Sequence, residues 1–170
     1  MVDAGLDVLF CGINPGRWSA ATGHHFAHPG NRFWKLLHVA GLTPEVLDPA
    51  DERRLLAFGL GITNLVPRAT ATAAELTRTE LRGGADRLEA TASRWQPAVV
   101  AVLGLGAYRS AFGRSGAAIG EQAERLGPSG LWVLANPSGL QGHYRFEDQV
   151  AELRRLHRAV PRLREVPAGT

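Results

Sequence analysis

Apolar residues along this chain of 170 residues come in short unbroken runs separated by longer amphipathic stretches. Val8-Leu9-Phe10-Cys11, Ala98 to Leu103 and Leu131-Trp132-Val133-Leu134-Ala135 show no polar alternation, as expected of strands covered on both faces. The first run predicts a strand through Val8 to Ile13, and Gly61 to Val66 reads as another. Helices are predicted near Asn31 to Ala40 and over Asp51 to Phe58, the latter with Asp51 as N-cap. Thr77-Arg78-Thr79-Glu80 has capping-box spacing. After it, Leu81, Ala85, Leu88, Ala92 and Trp95 recur at helical spacing and make one buried stripe. Gly104-Leu105-Gly106 leads into a short helix through Phe112. A terminal helix begins near Arg145, with Val150, Leu153 and Leu156 on its inner face. Strands alternating with helices predict a single α/β domain with a central, mainly parallel four-stranded sheet flanked by helices. The domain is expected over residues 1–160, with a flexible tail over 161–170.

Two strands leave the sheet in the same way. Gly12-Ile13-Asn14-Pro15-Gly16 follows the first, and Asn136-Pro137-Ser138-Gly139-Leu140 follows the last. Glycine lets backbone approach a ligand closely, because it has no Cβ. A polar amide at the carboxyl end of a buried strand points into the crevice where open α/β sheets bind ligands. The two turns are therefore expected to form two walls of one site. The stretch from Asn14 to Gly30 exceeds the usual connection length, which favours a functional loop.

Four ordered blocks carry a family resemblance. They are Phe10-Cys11-Gly12-Ile13-Asn14-Pro15-Gly16, Phe26-Ala27-His28-Pro29-Gly30-Asn31-Arg32-Phe33-Trp34, Gly61-Ile62-Thr63-Asn64-Leu65-Val66, and Trp132 to Leu140. In order and spacing the chain resembles the mismatch-specific uracil-DNA glycosylase and thymine-DNA glycosylase branch of the uracil-DNA glycosylase superfamily, from about Leu6 to about Leu156. The resemblance implies the superfamily's fold and base excision from double-stranded DNA at G·U or related mismatches, leaving an abasic site. Asn14 matches the residue that positions water. Its oxygen can accept from water while its NH₂ donates elsewhere, but an amide cannot take a proton as a carboxylate can. Read alone, Asn14 is better explained as a buried cap of its turn; the matched blocks around it favour the water-positioning role.

Further roles follow from the same resemblance. Phe26 matches the aromatic that stacks on the everted base, and Ile13, Gly16 and Asn64 match base-pocket positions. Strict uracil glycosylases carry a bulky aromatic where this chain has Gly16, so 5-substituted pyrimidines are expected to fit. Leu140 resembles the wedge that fills the gap in the stack, with Ser138, Gly139 and Gln141 beside it on the opposite strand. Some relatives continue with Ser and Arg where this chain has Gln141-Gly142-His143, which weakens the expectation of a guanine partner. Glu75, Arg17 and Arg68 are accessory candidates, the arginines for phosphate contacts together with Arg109 and Arg145.

Composition narrows the classes. The net charge of +3 and pI near 9.7 mildly favour a polyanionic partner. The hydrophobic content of 45% and mean hydropathy of −0.09 suit a globular domain, expected to be a monomer. No apolar run approaches the roughly 20 residues of a membrane helix, and no signal peptide is evident, so a cytoplasmic location is expected. Cys11 is the only cysteine, which excludes a four-cysteine iron–sulfur cluster; neither metal nor cofactor is expected. The arginines between Arg154 and Arg164 read as a solvated helix face. Lys35, the only lysine, sits in an amphipathic helix beside Trp34. With no other lysine side chain for a Schiff base, the expected enzyme is monofunctional.

Other classes fit less well. Gly104-x-Gly106-x-x-Arg109 lacks the last glycine of a dinucleotide fingerprint. Ser138 lacks the glycines of a nucleophile elbow, and His24 and His28 lack the glutamate of a metalloprotease helix. The main alternative is a non-catalytic protein of the same fold that binds damaged or mismatched DNA.

Overall fold

The computed structural model of the chain describes residues 1–138 and 144–165, with side chains through 163. The described residues form one five-stranded sheet in the order β2-β1-β3-β5-β4. Its strands are β1 (Val8–Gly12), β2 (Leu60–Asn64), β3 (Val99–Leu103), β4 (Gly120–Leu126) and β5 (Ser129–Leu134). β1, β2, β3 and β5 run parallel, with Phe10 opposite both Ile62 and Ala101, and Ala101 opposite Trp132. β4 is antiparallel to β5 and closes the edge. The expected parallel sheet is present, with a fifth strand the apolar pattern did not signal. β4 reads Gly-Glu-Gln-Ala-Glu-Arg-Leu and is only half covered, so it has no unbroken apolar run. Charge on an edge strand discourages pairing with another chain.

Helices cover both faces. Side chains alternate along each strand, so β1 sends Val8 and Phe10 to one face and Leu9 and Cys11 to the other. The first face packs on α2 (Phe33–Val39), a 3-10 segment (Pro49–Phe58) and α5 (Phe146–Glu165); the second packs on α3 (Arg78–Trp95) and α4 (Leu105–Phe112). Fully burying a Leu, Val or Phe contributes about 1.5–3 kcal/mol, so two layers this well filled carry the fold. Burial pushes the Cys11 thiol up, and it stays protonated between the layers.

Several boundaries differ from the sequence reading. The long loop after β1 contains a short helix, α1 (Arg17–Thr22), that buries no residue and so has no apolar stripe. The 3-10 segment starts at Pro49 under an Asp48 cap, whose carboxylate accepts from the Ala50 N–H at 2.9 Å; Asp51 lies inside it. Proline at the first helical position was the available signal. α3 opens at the expected capping box, Thr77 and Glu80. Trp95, expected in the core, is only half-buried at the end of α3 beneath the Arg94 guanidinium. α5 continues through Pro161 to Glu165, because Val160 and Leu163 are buried on either side of an exposed Pro161. The helix thus runs past residue 161, where a tail was expected to start. No helix among the described residues is long and apolar enough to cross a membrane.

Candidate active site

The parallel strands β1, β2, β3 and β5 all end at one edge, and the loops leaving them enclose a cleft of about 950 Å³. Ile13, Asn14, Gly16 and Arg17 line it from the first turn, Phe26 from the long loop, Asn64 from β2, and Asn136 and Ser138 from the last turn. The two Asn-Pro turns thus face one space, as their pattern predicted. Gly139, Leu140 and Gln141 lie outside the described residues.

Backbone hydrogen bonds join the loop after β1 to the loop after β2. Leu65 N–H donates to Gly12 O, Val66 N–H to Ile13 O, and Thr70 N–H to Pro15 O. This zipper brings the Asn14 amide against residues 68–72. Asn14 Nδ2 donates to the Arg68 carbonyl at 2.8 Å and to Thr70 Oγ1 at 2.7 Å. Thr70 Oγ1 spends its single proton on the Thr72 carbonyl at 2.7 Å, so towards Asn14 it can only accept. Both partners of the nitrogen are therefore acceptors, which fixes the amide's orientation. Asn14 Oδ1 takes no hydrogen bond from the described residues and remains an acceptor at the cleft.

Gly12 is the point of closest packing. A Cβ there would lie 2.6 Å from Asn64 Oδ1 and 3.2 Å from Phe26 Cζ, so only glycine lets the amide and the ring converge. Gly16 is different. Its φ of −73° and ψ of 168° suit any residue, and a Cβ there would meet nothing within 4 Å. The turn does not need this glycine, and the space above it is open.

Phe26 has φ of +50°, unusual for an aromatic residue. Neighbouring contacts hold it. The His25 N–H donates to Glu52 Oε2 at 2.8 Å, and the His25 ring nitrogen Nδ1 lies 2.9 Å from the same oxygen. On the other side, the Ala27 N–H donates to Ser19 Oγ at 3.2 Å. The Phe26 ring lies 4.2 Å from Phe33, centroid to centroid, and Phe33 meets Phe10 edge-on at 5.4 Å. Burial works to raise the Glu52 carboxyl, but hydrogen bonds from the His25 backbone and ring outweigh it and hold Glu52 below its ordinary value.

The last turn is braced too. Asn136 Oδ1 accepts from the Ser138 N–H at 3.0 Å, and the Asn136 carbonyl accepts from Gln149 Nε2 at 3.3 Å. The Arg32 N–H donates to the Pro137 carbonyl at 2.9 Å, and its guanidinium to the Tyr144 carbonyl at 3.3 Å.

Expectations change for Glu75, Arg68 and Arg109. Glu75 does not line the cleft: its carboxylate accepts from the Thr72 N–H at 2.7 Å and caps the 3-10 turn Ala73–Glu75. Arg68 contributes its carbonyl, while its guanidinium turns to Glu80 at 2.7 Å. That guanidinium, with the Thr77 N–H, holds the Glu80 carboxyl at about 2. The Arg109 guanidinium is engaged by the Ala117 carbonyl. Arg17 alone of the three accessory candidates lines the cleft. Lys35 sits outside it, with Nζ 5.2 Å over the Phe146 ring. Among the described residues, no group of three or more His, Cys, Asp or Glu side chains comes together that could hold a metal ion.

Thr70, Glu52 and Ser19 were not singled out from the sequence. Their roles depend on partners 56, 27 and 8 residues away, and isolated Thr, Glu and Ser carry no signal of such pairings.

A doubly flanked, mainly parallel α/β sheet with an amide-bearing cleft at its carboxyl edge places the chain among small doubly wound α/β domains, whose ligands bind at that edge. Residues 1–158 match the family model described as the uracil DNA glycosylase superfamily, and the chain belongs to that superfamily. Its members are DNA glycosylases, hydrolases of N-glycosidic bonds that act on DNA in base excision repair.

Proposed function

We propose that this chain is a monofunctional glycosylase of the mismatch-specific branch. It everts uracil from double-stranded DNA, preferably opposite guanine, hydrolyses the bond from C1′ to the base nitrogen, and leaves an abasic site. Thymine and etheno-cytosine are further candidate substrates. The orientation of the Asn14 amide carries this reading. Its nitrogen is committed to two acceptors, which leaves the oxygen to hold a water in the cleft.

The chemistry asks little of a base. As the glycosidic bond breaks, its electron pair leaves with the pyrimidine and positive charge develops on the sugar. Water oxygen then bonds to C1′, and its proton passes to solvent or to the departing anion. Asn14 contributes by placing the water. Phe26 offers a face for the base, where stacking is worth about 1–3 kcal/mol. Asn64 offers an amide to the base edge or the sugar. The open space above Gly16 supports tolerance of a 5-substituent. Leu140 is the proposed wedge, and Ser138, Gly139 and Gln141 the proposed contacts to the opposite strand. Lys35 stands away from the cleft, which supports release of an abasic product without strand cleavage.

A labelled duplex with one G·U pair tests the proposal. Incubation followed by alkali is expected to cut at the uracil, with little cutting before alkali and less release from A·U. Binding without release at stoichiometric protein would sink the catalytic reading and leave a mismatch-binding protein.

A further inference from the structure

Trp18 is the most conspicuous side chain that this mechanism leaves unused. It is 51% exposed, whereas Trp34 and Trp132 are 5% and 2% exposed. A single exposed ring needs no explanation by itself, but an aromatic face that lines a cleft offers large contact area at low entropic cost. Trp18 contributes to neither core layer, so the fold gives no reason for it. It stands on α1 beside Arg17, at the wall of the cleft that holds Asn14 and Phe26.

The ring is also steadied. Trp18 meets the His28 ring with centroids 5.6 Å apart and planes at 71°. His28 is itself fixed, because its Nδ1 accepts from the Gly30 N–H at 3.0 Å. That bond leaves the His28 proton on Nε2 when the ring is neutral. Two aromatic rings held at an angle at the cleft wall make a ledge with little left to order on binding. Phe26 is the platform inside the cleft; this ledge is a second one on its wall.

We propose that Trp18, supported by His28, stacks on a nucleobase flanking the everted nucleotide. A base has a π-face whatever its identity, so such a contact adds affinity with little sequence preference. The exposed Arg17 next to it suits the phosphate that accompanies that base. This inference rests on the reading of the cleft as the place where a nucleotide leaves the duplex.

A cycle of protein and DNA changes tests it. The probe is a duplex carrying a tetrahydrofuran abasic analogue opposite guanine, compared with duplexes also lacking the base on its 5′ or its 3′ side. Wild-type protein is expected to bind about tenfold more weakly when the flanking base on one side is missing. Trp18→Ala binds the full probe about tenfold more weakly and loses nothing further on that deletion; Trp18→Phe recovers part of the affinity. Tryptophan emission gives a second readout, since Trp34 and Trp132 are buried and Trp95 ends α3 just before β3, at the sheet edge opposite the cleft. Bound probe is expected to shield the wild-type emission from acrylamide, and that change disappears in Trp18→Phe. Equal losses in wild type and Trp18→Ala for both deletions, or emission equally open to acrylamide with DNA bound, would overturn the proposal. Uracil release from the G·U duplex is measured in parallel. Release without coupling at Trp18 defeats this inference alone, and coupling without release defeats only the catalytic reading.

Discussion

The side-chain nitrogen of Asn14 lies 2.7 Å from the Thr70 hydroxyl, across 56 residues of chain. That hydroxyl donates onward to the Thr72 carbonyl, so the three groups form a one-way relay. Thr70→Val keeps shape and the backbone bond to Pro15 but removes the acceptor. The amide then loses one of its two fixed partners. Base release under single-turnover conditions is expected to fall about tenfold, equivalent to about 1.4 kcal/mol. DNA affinity stays within about twofold of wild type, and Thr70→Ser restores the rate. A parallel fall in affinity and rate would count against a role in orienting the amide.

Asn14→Ala removes the oxygen that faces the cleft without touching either core layer. Release of uracil is expected to drop at least a hundredfold, as misplacing a reactant does. Binding to a duplex with an abasic analogue remains. Fluorescence anisotropy and single-turnover cleavage separate the two effects.

Gly12→Ala puts a methyl 2.6 Å from Asn64 Oδ1 and 3.2 Å from a Phe26 ring carbon. The Asn64 amide ends a side chain that can rotate, so the fold survives with a loss of about 1–3 kcal/mol. The displaced amide and ring fill the space proposed for the base. Affinity for the abasic duplex and rate on the uracil duplex are both expected to fall at least tenfold, with the circular dichroism spectrum unchanged.

Glu52 braces the unusual backbone at Phe26 through His25. Glu52→Ala is expected to lower stability by about 1–3 kcal/mol, because a charge-assisted hydrogen bond is lost. It also weakens capture of the everted base, read with a fluorescent pyrimidine analogue at the target position. Glu52→Gln keeps an acceptor for the His25 N–H and recovers most of both properties.

The Arg68–Glu80 pair sets a pH dependence. The Glu80 carboxyl titrates at 4.5 when free and at about 2 in the folded chain. A depressed folded value stabilises the protein above about pH 4.5, and that contribution is lost as pH falls towards 2. Urea midpoints of wild type and Glu80→Gln are expected to differ by a small constant amount above pH 5 and to converge near pH 2. The effect is small because Arg68 is largely solvated.

Continuous apolar runs made β1, β3 and β5 legible, and the capping box at Thr77 placed the start of α3. β4 and α1 escaped because neither presents a continuous buried stripe. Asn14, Phe26 and Asn64 were singled out through their blocks, and one cleft brings them together. Glu75 and Arg68 show the opposite case. A charged side chain near a strand end looks free in sequence, but here a neighbouring cap and an ion pair occupy both. Thr70 and Glu52 stayed invisible because their partners are set by tertiary folding.

The row of rings from Phe10 through Phe33 to Phe26 has a last implication. The outermost member is at once the floor of the cleft and the cover of the hydrophobic interior. Trimming it to admit a bulkier lesion would open a path for solvent onto Phe33. Under the proposed function, selectivity and thermal robustness are thus yoked in one residue, and a redesign for larger bases does better to start from the unencumbered rim at Gly16.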